Sequence, residues 1–290
     1  MPELPEVETI RRRLAPLVQG RVLRAIEVLD PRWCEPLHPE ALSGALVERR
    51  LEALDRRGKY LVWEARDEVF LLMHLRMTGT VLYDAPPLTP YVRVRMTLDD
   101  GHRLSLCDPR RFGTGELALD RSALDAFLRA RLGVEPLGPG FTSDHLLTMT
   151  RGRRLPIKAF LLDQRRIAGV GNIYANEALF RARIHPLRET GKLKRNQVAA
   201  LRDAVDGALS AGIDAGGASI DDFRHPDGVK GAFQNEFLVH GRDGRPCLVC
   251  GATVVKLVVA GRGTYACERC QTRPRRARRA GGGGGPRQRA

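Results

Sequence analysis

The chain has no apolar run approaching the roughly 18 residues needed to cross a bilayer. A secretory leader is not expected either. The opening MPELPEVETI carries acids where such a leader would carry basic residues and then an apolar stretch. Together these absences exclude secreted and membrane-spanning classes and leave a cytoplasmic protein as the expectation. No internal repeat is evident. Cysteine is sparse, six in 290 residues, and four of those lie within 247–270. Acids are missing from the last twenty residues, which hold seven arginines.

What is present is positive charge. Lys and Arg number 48 against 34 Asp and Glu, a formal charge of +14, and half of that excess belongs to the body rather than the tail. A basic chain without a membrane segment most often meets a polyanion, and nucleic acid leads because each phosphate neutralised releases counterions. At 290 residues and 43% apolar the chain is long enough for about two domains with real cores.

The N-terminal part reads as a short helix followed by antiparallel strands. Pro5 suits a first helical turn, and Val7, Ile10, Leu14 and Leu17 keep one apolar face. Val92, Val94, Met96 and Leu98 alternate with polar residues, Asp100-Gly101 supplies a hairpin turn, and 103–107 alternates again. Residues 60–64 and 69–77 are further strand candidates. Gly133 to Gly140 holds three glycines and two prolines and reads as a linker. Helical patterns follow at 156–164, 172–181 and 196–211, the last with Val198, Leu201, Val205 and Leu209 on one face. Residues 212–231, rich in Gly, Asp and Ser, read as a long mobile loop. The Arg/Gly segment from 273 onward reads as a disordered basic tail.

Cys247-x2-Cys250-x16-Cys267-x2-Cys270 has the two-knuckle spacing of a four-thiolate zinc site. A disulfide pair or a redox dithiol would fit the count, but neither a secretion signal nor a βαβ context accompanies either pair. Between the knuckles, 254–259 and Gly261-Arg262-Gly263 read as a β-hairpin whose tip presents Arg262. So small a module would need the metal for its stability. Cys34 and Cys107 read as small buried side chains.

Pro2 follows Met1, and a small second residue usually permits removal of the initiator. The exposed group would be a secondary amine beside Glu3 and Glu6. An α-amino group is roughly 10–17% neutral at pH 7, against about 0.04% for an ordinary lysine. Condensed with an aldehyde-like carbon, it gives an iminium that cannot shed its charge from nitrogen, an effective electron sink.

Six segments, in order, then carry a resemblance: PELPEVE at the N-terminus, Arg57-Gly58-Lys59-Tyr60, His74-Leu-Arg-Met77-Thr-Gly79, Asp108-Pro-Arg-Arg-Phe-Gly113, Gly169-Val-Gly-Asn-Ile-Tyr174, and the cysteine hairpin with Gly261-Arg-Gly-Thr264. The chain from 1 to about 272 resembles the bacterial formamidopyrimidine-DNA glycosylases. The resemblance implies an α+β fold: an N-terminal antiparallel β-sandwich domain (1–132) flanked by the first helix, a linker (133–141), a helix–two-turn–helix domain (142–238) with a lesion loop at about 213–233, a zinc finger (239–272) and the tail (273–290). It implies one structural zinc on Cys247, Cys250, Cys267 and Cys270, and no organic cofactor. The implied partner is double-stranded DNA holding an oxidised base or abasic site, with the protein a monomer working at the nucleoid.

In that pattern Pro2 would attack the sugar C1′, Glu3 would act as general acid, and Lys59 would sit by the lesion phosphates and assist proton transfer. Glu6 would hold the N-terminal segment. Asn172 and Arg262 match the pair gripping the lesion phosphate, with Gly169 and Gly171 letting the backbone turn tightly beside it. Met77, Arg110 and Phe112 match the residues that fill the hole left by the extruded base. His74, Tyr91 and Arg153 complete the DNA-contacting set, although relatives often carry a histidine near where Tyr91 and Arg93 stand. His240 replaces a common tyrosine. Two rivals remain open at this stage: an endonuclease VIII-like enzyme for oxidised pyrimidines, and a non-enzymatic zinc-ribbon DNA-binding protein, which would have no use for a free Pro2.

Overall fold

The computed structural model describes residues 2–219 and 224–274. Helix α1 (Leu4–Val18) begins at once, with the Glu6 carboxylate accepting the orphan N–H of Glu3 at 2.7 Å. Val7, Ile10, Leu14 and Val18, spaced three, four and four apart, are fully buried. Leu17, expected on that face, is 41% exposed in the last turn of the helix, where Val18 takes the buried position instead. The helix serves two cores. Leu4 lies in the core of the helical part, while Val7 to Val18 pack between the sheets.

The sheets are antiparallel throughout. One has the order β1-β6-β7-β5 (Leu23–Val28, Val92–Leu98, Arg103–Cys107, Thr80–Tyr83), the other β2-β3-β4-β8 (Leu51–Arg57, Tyr60–Ala65, Val69–His74, Thr114–Ala118). The alternating residues Val94, Met96 and Leu98 are buried as their period requires, and Gly101 turns the β6–β7 hairpin in the left-handed region. Helix α2 (Pro39–Leu46) contributes Leu42 and Leu46 to the core, and α3 (Arg121–Arg131) covers the outer face of the second sheet with Leu124. Neither was read from the sequence. The Asp120 cap of α3, which accepts the Ala123 N–H at 2.7 Å, was its available signal.

Strand β4 ends at His74, not Met77. Arg76 takes a positive φ and the Gly79 N–H returns to the Leu75 carbonyl at 3.0 Å, so 75–79 is a turn. The segment 133–141 is no loose linker: Val134 bridges Ile167 in parallel, and Glu135 takes ion pairs from Arg56 (2.9 Å) and Arg57 (2.7 Å). Beyond it come α4 (Ser143–Thr150), α5 (Ile157–Leu162), α6 (Asn172–Arg181) and α7 (Arg195–Asp214). Helix α6 matches its expected bounds, α5 is shorter, and α4 was unread. Helix α7 runs three residues further than expected, taking Gly212 to Asp214 out of the supposed loop. What remains is tethered on both sides: Ala218 donates to Glu6 at 2.7 Å, Phe233 N–H to Gly217 at 3.0 Å, and Tyr83 N–H to Pro226 at 2.9 Å. Residues 220–223 of that segment, and the tail beyond Pro274, lie outside the described residues.

The C-terminal hairpin pairs β9 (Val255–Val259) with β10 (Arg262–Ala266) around a two-residue turn. The tip is Ala260-Gly261, both with positive φ, the type I′ arrangement that suits strand twist. Arg262 is therefore the first residue of β10 rather than the tip. Among the described residues no helix is long and apolar enough to cross a membrane.

Candidate active site

A cavity of about 610 Å³ opens where the sandwich, the helical part and the C-terminal hairpin converge. Lys59, His74 and Met77 reach it from the sandwich, Phe112 from the loop before β8, Asn172 from the start of α6 and Arg262 from β10. Six of the residues singled out in the sequence, far apart along the chain, thus line one space. Lys59 occupies the two-residue turn between β2 and β3 and is buried. Desolvation pushes its amine below the usual lysine range, opposed by the charges of Glu3 and Glu6 and assisted by Arg262. His74, flanking it, is held to about 3 by burial and by the charges of Arg76 and Lys59, so its ring is neutral at pH 7.

Glu3 is 1% exposed and lies under the N-terminus of α6. Its carboxylate accepts the Ile173 N–H at 3.0 Å and the Tyr174 N–H at 3.4 Å, two orphan donors of that helix. This contact explains the two glycines better than tight turning beside a phosphate does. A Cβ on Gly171 would overlap the Glu3 carboxyl carbon, and one on Gly169, whose φ is +84, would come within 2.6 Å of Leu4. The glycines admit the N-terminal segment itself. Pro2, buried, is held next to this junction by the Glu3 and Leu4 backbone bonds to Glu6 and to Gly169.

Glu6, expected to hold the N-terminal segment, is enclosed by protein and does not reach the cavity. Besides Glu3 it accepts the Tyr174 hydroxyl at 2.7 Å and the Ala218 N–H at 2.7 Å, and burial followed by the charge of Glu3 pushes its carboxyl upward. It fixes the N-terminus against α6 and the loop at 216–218. Arg110 and Tyr91 stay outside the cavity. Arg110 is exposed, stacked with its guanidinium 4.8 Å from the Phe112 ring centre, on a loop organised by the buried Asp108 carboxylate, which accepts the Phe112 and Gly113 N–H groups at 2.8 Å. Tyr91 is 56% exposed, with Arg93 rather than cavity residues beside it. Arg153 is exposed in the turn after α4 and does not line the cavity.

Three side chains escaped the sequence reading. Lys158 on α5 is fully buried and donates to the Gly263 carbonyl at 3.0 Å and the Thr264 hydroxyl at 2.7 Å, pinning β10 just beyond Arg262. Desolvation brings it to about 7, with Glu3 opposing and Arg262 assisting. The signal was a lone charge inside the apolar run 157–162. Glu177, buried on α6, accepts the Leu238, Val239 and His240 N–H groups at 3.0–3.2 Å and so holds the start of the zinc module. Gln164 braces the 169–171 turn through the Gly169 N–H at 2.9 Å and the Val170 carbonyl at 2.8 Å.

The sulfur atoms of Cys247, Cys250, Cys267 and Cys270 all lie within 4.8 Å of one another. Tetrahedral thiolates at the usual 2.3 Å from zinc stand about 3.8 Å apart, whereas a disulfide needs about 2.05 Å. The cluster, at 3.4 Å for Cys250–Cys267 and 4.0 Å for Cys247–Cys270, fits one structural zinc. Cys34 and Cys107 are free and buried away from it.

Comparison with known proteins agrees segment by segment. Residues 1–115 match the formamidopyrimidine-DNA glycosylase N-terminal domain, 132–224 its H2TH domain, and 244–273 a zinc finger found in FPG and IleRS. The formamidopyrimidine-DNA glycosylase of Ruegeria pomeroyi is 41% identical over 93% of this chain and 100% of its own length. That of Chloroflexus aurantiacus is 44% identical over 93% and 98%. The crystal structure of the Thermus thermophilus Fpg protein superposes with a TM-score of 0.84 at 42% identity, covering 93% of this chain and 98% of that one. A Lactococcus lactis Fpg variant in complex with a Fapy-dG-containing DNA superposes at 0.87 with 37% identity, covering 94% and 100%. The chain belongs to the formamidopyrimidine-DNA glycosylase family, DNA-binding repair enzymes that carry a structural zinc finger.

Proposed function

We propose that the protein is a bifunctional glycosylase and abasic-site lyase acting on oxidised purines, with the Pro2 amine as nucleophile. The reading is carried by one observation: the N-terminal segment is driven into the junction of both domains, directly behind a cavity lined by Lys59, Met77, Phe112, Asn172 and Arg262. With Met1 removed, the Pro2 nitrogen attacks C1′ of an extruded nucleotide. The glycosidic bond breaks, and the base leaves with the bonding electrons and a proton. Glu3 delivers a proton to the ring oxygen as the sugar opens, and nitrogen keeps the positive charge as an iminium. That charge acidifies the adjacent C2′–H, and loss of this proton expels the 3′ phosphate; loss of a second proton, from C4′ of the conjugated iminium, expels the 5′ phosphate, and water then hydrolyses the iminium to free the Pro2 amine. Lys59, its amine weakened by burial, is placed to accept and return protons there. Asn172 at the first turn of α6 and the Arg262 fork hold a backbone phosphate. Met77 and Phe112, which line the cavity, and Arg110, stacked on Phe112 just outside it, occupy the vacated stack.

The oxidised-pyrimidine reading has one observation in its favour. Wild-type Lactococcus lactis Fpg, 37% identical, has been crystallised with an oxidised-pyrimidine-containing DNA. Borohydride trapping on duplexes carrying 8-oxoguanine opposite cytosine, or thymine glycol, separates the possibilities. A covalent adduct formed faster with 8-oxoguanine, and abolished when Met1 is retained, is expected. A preference for thymine glycol moves the protein to the pyrimidine branch, and equal turnover with Met1 retained removes Pro2 from the mechanism.

A further inference from the structure

A second cavity, about 520 Å³, lies at the far end of the two elements that frame the first. Helix α6 begins at the lesion-site cavity with Asn172 and ends at Arg181, two residues before Arg183 enters the second; its ten residues span about 15 Å. Likewise the zinc hairpin offers Arg262 to the first, while Thr272, Arg273 and Pro274, past its last cysteine, line the second. Its walls carry four cations, Arg183, Arg188, Lys194 and Arg273. Only Arg273 has an acid partner among the described residues, Glu268 at 3.0 Å.

Two features show that this charge is not casually placed. Helix α7, twenty residues long, follows the N-cap Lys194 with no acid in its first turn; Arg195 pairs with Asp144 at 2.7 Å, which leaves the Lys194 charge at the positive end of the dipole. An anion there would reverse that penalty. Separately, His185 faces the cavity while only 2% exposed. Its Nδ1 accepts the Leu187 N–H at 3.1 Å, and burial lowers its pKa, so the neutral ring carries its proton on Nε2. That buried donor has no hydrogen-bond partner. The nearest carboxylate oxygen, of Glu268, stands 3.6 Å away, beyond bonding distance.

We propose that this cavity is a second phosphate-binding site, engaging the phosphodiester backbone of DNA away from the lesion-site cavity. Phosphate supplies what the walls lack: acceptor oxygens for His185 and the Arg forks, and negative charge for the α7 terminus. DNA is the phosphate polymer always present at high local concentration around a bound repair enzyme. The chain that leaves the cavity at Pro274 continues with six more arginines in 275–290. The backbone can come from flanks of the lesion duplex or from a second duplex.

The test uses the full-length zinc-loaded protein and R183Q/R188Q/K194Q, none of which touches the lesion-site cavity. On a duplex of about 40 base pairs the slope of log affinity against log salt should fall by about 2–3 in the variant, near 0.9 per phosphate lost, while one of about 12 shows no change. That pattern assigns the flanking backbone. An unchanged slope, with loss of the acceleration of dissociation by competing duplex, assigns a second DNA segment. Single-turnover excision from the short duplex should be the same in both proteins. Should the triple variant not fold, acylation of Lys194 in the wild-type protein provides the reading, with protection expected from the long duplex and not the short one. Unaltered slopes and transfer, an equal fall on the short duplex, or Lys194 equally reactive with and without long DNA each overturn the proposal.

Discussion

In the proposed mechanism Glu3 joins structure and chemistry in one side chain. Its carboxylate sits under the N-terminus of α6, so changing it tests both. Glu3→Gln keeps the shape and, through its one amide oxygen, the Ile173 contact, while losing the longer Tyr174 contact and the proposed proton donor, and base excision should drop by about 10²–10⁴-fold with lesion binding retained. A drop below roughly tenfold in single-turnover assays would speak against the acid role. The neighbouring glycine gives a sterically cleaner probe. Gly171→Ala must push Glu3 from its seat, because a Cβ there overlaps the carboxyl group. Gly207→Ala, on an exposed and open stretch of α7, serves as its control and should stabilise by about 0.5–1 kcal/mol. Loss of excision in the first with a gain in melting temperature in the second is expected. Full activity in Gly171→Ala would detach Glu3 from catalysis.

At the scale of elements, the C-terminal hairpin is held by metal at its base and by Lys158 near Arg262. Cys267→Ser should lower zinc content and abolish tight DNA binding while the sandwich stays folded. Arg262→Ala should retain zinc yet weaken binding by roughly 1.5–3 kcal/mol, with Lys restoring only part of it. Zinc assay and titration of lesion DNA distinguish these outcomes, and full affinity in either variant would mean the hairpin is not the clamp. Lys158 adds a pH signature. Its buried amine, desolvated and brought to about 7, binds fewer protons in the folded chain than in the unfolded one up to the ordinary lysine value near 10.4. Stability contributed at this position therefore increases as pH rises above about 7. The difference in urea midpoint between the wild type and Lys158→Met should shift in favour of the wild type between pH 7.5 and 9.5. A difference independent of pH would show the amine to be charged in the folded state.

The whole molecule is joined by a short buried chain of charges. Arg56 on β2 reaches Glu8 on α1 at 3.1 Å and Glu135 on the crossing segment at 2.9 Å, with little exposure at any of the three. Burial opposes ionisation of Glu8, but hydrogen bonds from Arg11 and Arg12 and the charges of Arg11 and Arg56 hold it at about 2. Its contribution is complete above the ordinary value near 4.5 and lost as pH falls toward 2. Arg56→Met removes one partner from each of two carboxylates that keep Arg11, Arg12 and Arg57, and should cost about 1.5–3 kcal/mol, with the acid limb of unfolding moved to higher pH. A thermal midpoint within error of the wild type would show that the apolar cores alone hold the domains together. This is also where the sequence was least legible. Glycines and prolines of 133–140 announced a linker, yet nothing local could show Glu135 answering two arginines some eighty positions earlier.

The sequence alone determined the elements with a strong period and the sites with a fixed spacing. The strand alternation at 92–107, the α7 stripe, the bounds of α6 and the four-cysteine zinc site depend on contacts between near neighbours, and near neighbours are what a sequence displays. Leu17, the end of β4 at His74, and the loop that became the last turn of α7 were misread where packing or backbone bonding overrode local pattern. Tertiary structure alone decided why Gly169 and Gly171 are glycines, that Glu6 faces inward, that Tyr91 and Arg153 lie outside the cavity, and that Lys158 clasps the hairpin. Each of those depends on what a distant segment places within a few ångströms, and the burial that lowers the proton affinity of Lys59, His74 and Lys158 exists only once the two cores have closed around α1.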